Sequence, residues 1–587
     1  MDNAGGNTIL FLSHRERQCG VHQFGLNIAK VLEGSKVFRF IFKECSDVSE
    51  YRDIVRTSQP AAIIYNYHPT TMPWLRNNIL KLRDIPNISI THEVTQHDAD
   101  TATNHFFDYH IAPDPTLLLR NPIVFKTGRL VPTYQHTHNI PSIPTIGSFG
   151  FGTPGKGFER LVSTVQEEFD EAIIKLHIPF ATFGDADGTN ARKIAAQCQL
   201  LVDKPGIKLI VDHDFMDDER LLDFLAANTL NAFLYEENNG RGISSVIDYA
   251  LAVKRPIAIT RSNMFRHIIN TIPSICVEHR RLEEIIADGT EPLLPYLREW
   301  STENLVWDYE RIVQTVLEKK LPSRPSLLRK AVRKFMRHAT MQRENKDRNP
   351  QVSSPAKTER DTAAKTLMYP LSFEPAGFNR ILDNAARELY RPAIEFLFEA
   401  VPGMMKRKIP AANIQQAFVF DSVVRLNAGA KNPKMLCVGS FEDTASASLK
   451  ELGFRVEEID PVLNYDLEAF CTRPITQRRS YNVVFSTSVI EHVKNDERFI
   501  TLIGELLAPG GVAVLTCDYN DAYVPGDKIP PEDFRFYTQR DLKNRLLALL
   551  PDCSLVDEPR WDCDNPDFVY GGCRYTFASL VFRKKQT

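Results

Sequence analysis

Short apolar runs alternate with amphipathic stretches along most of the chain. Runs typical of buried strands occur at Thr8–Leu12, 61–65 and 88–91, and the segments between them have helical spacing. In the first of these segments the apolar positions that share one face are Phe24, Ile28, Val31 and Leu32. Strand–helix alternation of this kind predicts parallel sheets covered by helices on both faces, and therefore an α/β fold.

The alternation is interrupted twice. Two close prolines, Pro141 and Pro144, predict a hinge, after which strands resume at 145–149 and continue past 256–260. A helix at 307–319 is expected to close this second half. Residues 319–348 then carry eleven Lys/Arg and only two Asp/Glu. We therefore predict four segments: a first lobe at 1–140, a second lobe at 141–322, a basic linker at 323–366, and a C-terminal domain with a helical N-terminal extension at 367–587.

The linker contains an amphipathic helical pattern at 326–338. Its apolar residues recur at helical spacing, and basic residues such as Arg329 and Lys330 fill the other side. Two interpretations remain open. The helix packs on the preceding lobes with its charges in water, or it lies on the anionic surface of a membrane as a peripheral contact.

Composition narrows the function classes. The 71 Lys+Arg against 74 Asp+Glu give a net charge of −3, which argues against a nucleic-acid partner. No apolar run approaches the roughly 18–20 residues that span a bilayer, and the N-terminus lacks the basic start of a signal peptide. The ten cysteines form no Cys-x-x-Cys pair. We expect a cytoplasmic protein with reduced thiols and no metal site, at most peripheral to the inner membrane.

The C-terminal domain has the clearest pattern of candidate chemistry. A predicted strand from Lys434 ends at Gly439, a second strand ends at Asp460, and a third leads from 481–485 into the segment Ser486–His492. A glycine after the first strand lets a ligand approach the backbone, and an acid after the second can accept both hydroxyls of a ribose. The turn 509–511 precedes a further strand.

In this order and spacing, residues 432–585 resemble the class I S-adenosylmethionine-dependent methyltransferases, which have a Rossmann-like domain. The resemblance implies S-adenosylmethionine as cofactor. It also implies a set of cofactor-binding residues, namely Gly439, Ser440, Phe441, Glu442, Asp460, Pro461, Ser486 and Thr487. The family's first loop is commonly Gly-x-Gly-x-Gly, and here only its first glycine is present.

A base near the methyl donor would deprotonate a hydroxyl acceptor, and a pKa near 7 suits that role. His492 is the candidate. The alternative for His492 is a structural histidine that caps the following helix. Asp518 and Asp521, after the next predicted strand, are alternative bases.

Two glycine-rich loops characterise the N-terminal half. The loop in 146–158 contains Lys156 just before a predicted helix, and the segment 235–245 contains Arg241 before another. Backbone amides, a lysine and an arginine in this arrangement suit the phosphates of a nucleotide.

Together with the Gly20 loop and the pair His92-Glu93, these loops resemble the two-lobed GT-B glycosyltransferases, especially the retaining branch, over about residues 7–320. The resemblance implies two Rossmann-like domains and a nucleotide-sugar co-substrate. The implied donor-binding residues are Gly20, His22, Lys156, Arg241, Gly242, Ser244 and Ser245, and the implied catalytic residues are His92 and Asp248. The branch usually has two glutamates around the second loop, where this chain has Arg241 and Tyr249.

We therefore expect a bifunctional enzyme that adds a sugar to a glycan and O-methylates a glycan, with bacterial surface polysaccharide, including a lipid-linked acceptor, as the context. One alternative keeps only the methyltransferase, with the GT-B lobes as a degenerate module that binds glycan or nucleotide. An NAD-dependent oxidoreductase is disfavoured because no full Gly-x-Gly-x-x-Gly loop is present.

Overall fold

The computed structural model describes residues 7–16, 19–76, 85–180, 185, 187–238, 240–319, 369, 377–427, 430 and 432–586. The chain separates into two units, 1–339 and 340–587. The amphipathic pattern at 326–338 and the predicted linker lie outside the described residues. Unit 1 has two parallel, Rossmann-like sheets and unit 2 has a mixed sheet, which confirms the predicted α/β class at that level. No helix among the described residues has the length and apolar character needed to cross a membrane.

The first lobe of unit 1 is built on one parallel sheet. Its described strands are β1 (Thr8–Ser13), β2 (Arg39–Glu44), β3 (Ala62–Asn66), β4 (Asn87–Ile90), β5 (Tyr109–Ala112) and β6 (Val124–Lys126), in the order β2-β1-β3-β4-β5-β6. Its described helices are α1 (Gly20–Leu32), α2 (Val48–Ser58) and α3 (Gln96–Thr101). Because all paired strands are parallel, their carboxyl ends meet along one edge, where loop side chains gather.

The second lobe repeats this plan with a smaller sheet. Its described strands are β7 (Thr145–Phe149), β8 (Ala172–His177), β9 (Ile207–Asp212), β10 (Leu230–Phe233) and β11 (Ile257–Ile259), in the order β11-β10-β7-β8-β9. Its helices are α4 (Phe158–Glu168), α5 (Thr189–Leu201), α6 (Asp218–Ala226), α7 (Val246–Ala252), α8 (Leu282–Asp288) and α9 (Leu294–Glu299), with 3₁₀ turns at Asn263–Phe265 and Glu291–Leu293. Strands β7 and β10 are direct neighbours.

The last described helix of unit 1, α10 (Thr302–Glu318), packs on the first lobe, although it follows the second lobe in sequence. Its buried stripe includes Leu305, Tyr309 and Ile312, which share a core with Ile9 and Ile28. The sequence analysis expected this helix to close the second half. The pattern of apolar positions predicted the helix, but only the tertiary contacts decide which core receives it.

Unit 2 combines a helical layer with a mixed sheet. Its described helices are α11 (Asn384–Leu389), α12 (Arg391–Ala400), α13 (Pro402–Met405), α14 (Asn413–Leu426), α15 (Thr444–Glu451), α16 (Leu467–Thr472) and α17 (Asp496–Leu506). Its strands are β12 (Met435–Val438), β13 (Val456–Ile459), β14 (Tyr481–Thr487), β15 (Leu507–Tyr519), β16 (Cys553–Leu555), β17 (Phe568–Tyr570) and β18 (Cys573–Lys584).

The strand order in unit 2 is β13-β12-β14-β15-β18-β16, and β17 pairs with β18. Strands β12 to β15 pair in parallel, whereas β18 runs antiparallel to both β15 and β16. Strand β12 has β13 on one side and β14 on the other, so the chain reverses its direction across the sheet at β12. In open α/β sheets, ligands bind in the crevice beyond the carboxyl ends at such a switch point.

Candidate functional site

The lysine loop of the second lobe follows β7 and leads into α4. Gly155 and Gly157 have φ values of +81° and +68°, a region that favours glycine. A Cβ at Gly157 would also lie 1.9 Å from the carbonyl oxygen of Leu234, which follows β10. Glycine at position 157 therefore allows the loop to pack closely against the segment that follows β10.

The two glycine-rich loops of the second lobe meet at this point. The backbone N–H of Glu236 donates to the carbonyl of Gly155 at 2.9 Å. The Lys156 ammonium donates to the Tyr235 hydroxyl at 3.0 Å and lies 4.2 Å from the centre of the Tyr235 ring. Two segments about eighty residues apart thus form one surface that carries the Lys156 cation.

The segment that contains Arg241 and Gly242 faces the first lobe. A Cβ at Gly242 would lie 2.5 Å from Cα of Glu93, so the lobes touch here through a residue without a side chain. Glu93 itself has a φ of +54°, which is unusual for a residue other than glycine. The Arg241 guanidinium lies 3.0 Å from the Glu93 carboxylate, and the two side chains are 56% and 65% exposed.

The two predicted serines precede α7. Ser244 is buried and its N–H donates to the carbonyl of Met264 at 2.9 Å, which fixes this backbone amide within the lobe. Ser245 is the residue immediately before α7, and its side chain makes no capping hydrogen bond. Of the two serines, Ser245 is the exposed one.

Asp248 is part of a buried ion pair rather than an accessible catalytic carboxylate. Its side chain is 4% exposed and that of Arg129 is 5% exposed. Arg129 Nε lies 3.0 Å from Asp248 Oδ1, and a second guanidinium nitrogen contacts Oδ2. Burial raises the pKa of Asp248, and the charge of Arg129 opposes that rise. Arg129 also donates to the carbonyl of Pro113 within the first lobe. Because Asp248 belongs to the second lobe, the ion pair joins the two lobes.

His92 follows β4 at the carboxyl edge of the first-lobe sheet. Its Nε2 lies 2.8 Å from Oδ1 of Asn66, the last residue of β3. Burial, followed by the nearby His68, Arg129 and His14, lowers the pKa of His92 to about 4. The imidazole is therefore neutral at physiological pH, as a hydrogen-bond acceptor for a substrate hydroxyl must be.

The other predicted residues of the first lobe lie at the same edge. Gly20 begins α1, and a Cβ there would meet nothing within 4 Å, so its surroundings are open. His22 is buried, with Nε2 2.7 Å from the Glu44 carboxylate at the end of β2. The rings of His14 and His22 lie 5.6 Å apart. The imidazoles of His14, His22 and His92 thus lie near the carboxyl ends of the first-lobe strands.

In unit 2, the loop after β12 turns sharply at Gly439. Its φ is +82°, and a Cβ there would lie 2.4 Å from the Val489 side chain beyond β14. Phe441 and Glu442 follow with their side chains turned outward, and Glu442 pairs with Arg407 at 3.0 Å. Glu442 has a φ of +57°, so the loop takes a left-handed path at a residue other than glycine.

Asp460 connects the ends of β12 and β13. One carboxylate oxygen accepts from the N–H of Val462 at 2.7 Å and the other from the N–H of Phe441 at 3.3 Å. A carboxylate has about four lone-pair positions, so two acceptor positions remain for a ligand. The neighbouring Pro461 is exposed. The structure places Asp460 next to the Gly439 loop, as the spacing predicted.

Polar side chains are buried beside this loop, namely those of Ser440, Asp443 and Thr487. Burial raises the pKa of Asp443, and its interaction with Thr487 opposes that rise. Ser440 Oγ is buried without a hydrogen-bond partner among the described residues. The hydroxyl of Ser486, in contrast, donates to the carbonyl of Val438 at 2.8 Å. Unsatisfied buried polar groups cost about 1–3 kcal/mol each.

His492 forms a dyad with Asp533, a residue that the sequence analysis did not single out. Nδ1 lies 2.9 Å from the Asp533 carboxylate, whose side chain is 2% exposed, while the imidazole is 45% exposed. This hydrogen bond, despite partial burial, raises the pKa of His492 to about 9. The sequence argument assumed a value near 7; with Asp533 as partner, the imidazolium predominates at neutral pH.

Two further carboxyl groups lie behind the dyad. Glu491 is fully buried and accepts from the Ser488 hydroxyl at 2.6 Å. Asp518 is the second-last residue of β15, and burial together with the charge of Glu491 holds its pKa well above the usual range. Asp521, the other alternative base, accepts from the N–H of Gln539. Among the described residues, no group of His, Cys, Asp and Glu is arranged to hold a metal ion.

Sequence reasoning missed three residues that organise these sites. Asn66 had a detectable signal, because it is a polar residue at the end of an apolar strand. Arg129 and Asp533 had none, because each lies in an irregular segment, far in sequence from its partner.

The chain has only low similarity to known proteins. No protein-family model and no curated protein matches this sequence. Among solved structures, the chain is similar to Anabaena HepE in complex with UDP and glucose, at 14% identity over 53% of this chain and 99% of that chain, with a TM-score of 0.37. It is also similar to the trehalose-6-phosphate synthase OtsA, at 8% identity over 53% of this chain and 99% of that chain, with a TM-score of 0.38. The [4+2]-cyclase SpnF is 14% identical over 31% of this chain and 84% of that chain, with a TM-score of 0.23.

Proposed function

We propose that residues 7–319 form a nucleotide-sugar-dependent glycosyltransferase of the GT-B type. The observation that carries this proposal is the meeting of the two glycine-rich loops beyond β7 and β10, through Gly155, Lys156, Tyr235 and Glu236. Backbone amides and a partly buried cation at the carboxyl edge of a parallel sheet suit a diphosphate. Opposite this surface, across the contact between Gly242 and Glu93, the first lobe offers a neutral imidazole for an acceptor hydroxyl.

The donor site is tested by calorimetry with UDP, the nucleotide present in the HepE complex. Loss of a hydrogen bond to a charged group costs about 1.5–3 kcal/mol, so Lys156→Ala should weaken UDP binding about ten- to hundredfold. Lys208→Ala removes an exposed lysine from β9 of the same lobe and serves as the matched control. Wild-type protein that binds no nucleoside diphosphate would favour the degenerate-module alternative.

For unit 2 we propose S-adenosylmethionine-dependent methyl transfer. The supporting observation is the switch point at β12, where Asp460 accepts from the Phe441 N–H of the Gly439 loop and the Ser440 hydroxyl is buried without a partner among the described residues. The cofactor, when bound, supplies an electrophilic methyl group. Asp460 would hold its ribose hydroxyls, and the imidazole of His492, oriented by Asp533, would contact the acceptor.

This second function is tested by calorimetry with S-adenosylmethionine. Asp460→Ala should weaken binding about ten- to hundredfold through loss of a charge-assisted contact. Asp564→Ala, at an exposed position of the same unit, is the control. Unchanged affinity in a folded Asp460→Ala protein removes Asp460 from the site.

With both activities, the protein would transfer a sugar to a glycan and O-methylate a glycan during surface polysaccharide synthesis. The acceptor would be lipid-linked if 326–338 contacts a membrane, and flotation of the full chain with anionic liposomes tests that contact. Hydrolysis of UDP-glucose distinguishes an active glycosyltransferase from a module that only binds nucleotide or glycan.

A further inference from the structure

Asn66 has an amide orientation that its neighbours determine. Its Nδ2 lies 2.6 Å from the carbonyl oxygen of Val21 and 3.0 Å from Ser13 Oγ, while Oδ1 lies 2.8 Å from His92 Nε2. A carbonyl oxygen can only accept a hydrogen bond, so the amide end that faces Val21 must be the NH₂ group. The end that faces His92 is therefore the oxygen.

This orientation fixes the tautomer of His92. Because Oδ1 of Asn66 only accepts, Nε2 of His92 must carry the hydrogen. A neutral imidazole with hydrogen on Nε2 has an unprotonated Nδ1, which is a hydrogen-bond acceptor. His92 stays neutral because it is buried near His14, His68 and Arg129, each of which opposes a further positive charge.

We propose that Asn66 is a positioning residue for glycosyl transfer: it holds His92 in the Nε2–H tautomer, so that Nδ1 accepts a hydrogen bond from the acceptor hydroxyl. This role rests on the proposed glycosyltransferase function of unit 1. His92 immediately precedes Glu93, whose backbone contacts Gly242 of the second lobe, so the imidazole lies where the two lobes meet.

Helix α1 has a glycine that makes room for Asn66. A Cβ at Gly25 would lie 2.2 Å from Asn66 Nδ2, so alanine cannot replace glycine without moving the amide. Glycine inside a helix is less favourable than alanine, because its backbone loses more conformational freedom on folding. The chain therefore accepts a less stable helix in order to keep Asn66 against Val21 and His92.

The tautomer can be measured directly in the full-length protein. Histidine labelled at Cε1 and at the ring nitrogens in a deuterated background gives separate signals, and His92→Gln assigns the one of interest. The wild type should show the Nε2–H tautomer and no titration between pH 5 and 8. His110, buried in the same lobe and held by Ser89 and Thr103, is the internal reference.

Three variants separate positioning from simple packing. Ser13→Ala keeps the Val21 contact and should leave the tautomer unchanged. Asn66→Ala should give a mixture of tautomers. Asn66→Asp places a carboxylate beside the imidazole and should raise the pKa of His92 by about one to three pH units. In UDP-glucose hydrolysis, Asn66→Ala should lower kcat about tenfold or more without a comparable change in KM.

The outcomes distinguish this inference from the proposed function. An Nδ1–H tautomer in the wild type, or a single unchanged tautomer in folded Asn66→Ala, overturns the role of Asn66. Equal kcat in wild type and Asn66→Ala overturns it as well. Absence of UDP binding in the wild type refutes the glycosyltransferase proposal instead, because the nuclear magnetic resonance measurement does not depend on a donor.

Discussion

Replacement of Arg129 by methionine should destabilise unit 1 far more than the same replacement at Arg241. Both arginines form ion pairs between the two lobes, with Asp248 and Glu93 respectively. The pairs differ in exposure: the first has side chains 5% and 4% exposed, and the second 56% and 65%. This difference in exposure decides how far each replacement should lower the free energy of unfolding.

Removal of one partner from a buried ion pair leaves an uncompensated charge and costs about 3–5 kcal/mol. Asp248 would be such a charge, and the carbonyl of Pro113 would lose its donor as well. An exposed pair contributes only about 0–1 kcal/mol, because water solvates both groups before and after the change. We therefore expect Arg129→Met to lower the free energy of unfolding by at least about 3 kcal/mol, and Arg241→Met by less than about 1 kcal/mol.

Urea unfolding followed by tryptophan fluorescence measures this difference. Three of the four tryptophans, Trp74, Trp300 and Trp307, are in unit 1, so its transition dominates the signal. The apolar double variant Arg129→Met/Asp248→Leu should regain most of the loss, because it leaves no buried charge. Equal destabilisation by Arg129→Met and Arg241→Met, or no recovery in the double variant, would refute the assignment of Asp248 to a structural ion pair.

Three other predictions follow from the geometry. Gly242→Ala should weaken UDP binding but not S-adenosylmethionine binding in calorimetry, because its Cβ would lie 2.5 Å from Cα of Glu93 and displace the lobes. Asp460→Ala should raise amide exchange in the loop after β12, since the Phe441 N–H loses its acceptor. The hydrogen bond with Asp533 raises the pKa of His492 from its ordinary value of 6.5 to about 9. Its contribution to the free energy of unfolding is therefore complete below about pH 6.5 and is lost as the pH rises through 9. Asp533→Asn should remove this alkaline decline in the unfolding free energy; a decline of the same size in the variant contradicts the dyad.

Local patterns in the sequence predicted the elements well. The strand at 145–149 has the predicted bounds, and β1, β3 and β4 differ from their predictions by one residue at each shifted end. A buried parallel strand is recognisable because it is a continuous apolar run bounded by turn residues. The edge at which loop side chains gather was predictable for the same reason, because parallel strands place their carboxyl ends together. At these edges Lys156 contacts Tyr235, and Asp460 contacts the Gly439 loop.

The sequence alone determined the α/β class, the glycine-rich loops and the strand-end residues His92 and Asp460, because these depend on neighbours within a few positions. Tertiary structure alone decided that α10 packs on the first lobe, that Arg129 neutralises Asp248, and that Asp533 raises the pKa of His492. These contacts join residues from about forty to three hundred positions apart. Their energies depend on burial and on the partner's charge, and no local pattern encodes either one.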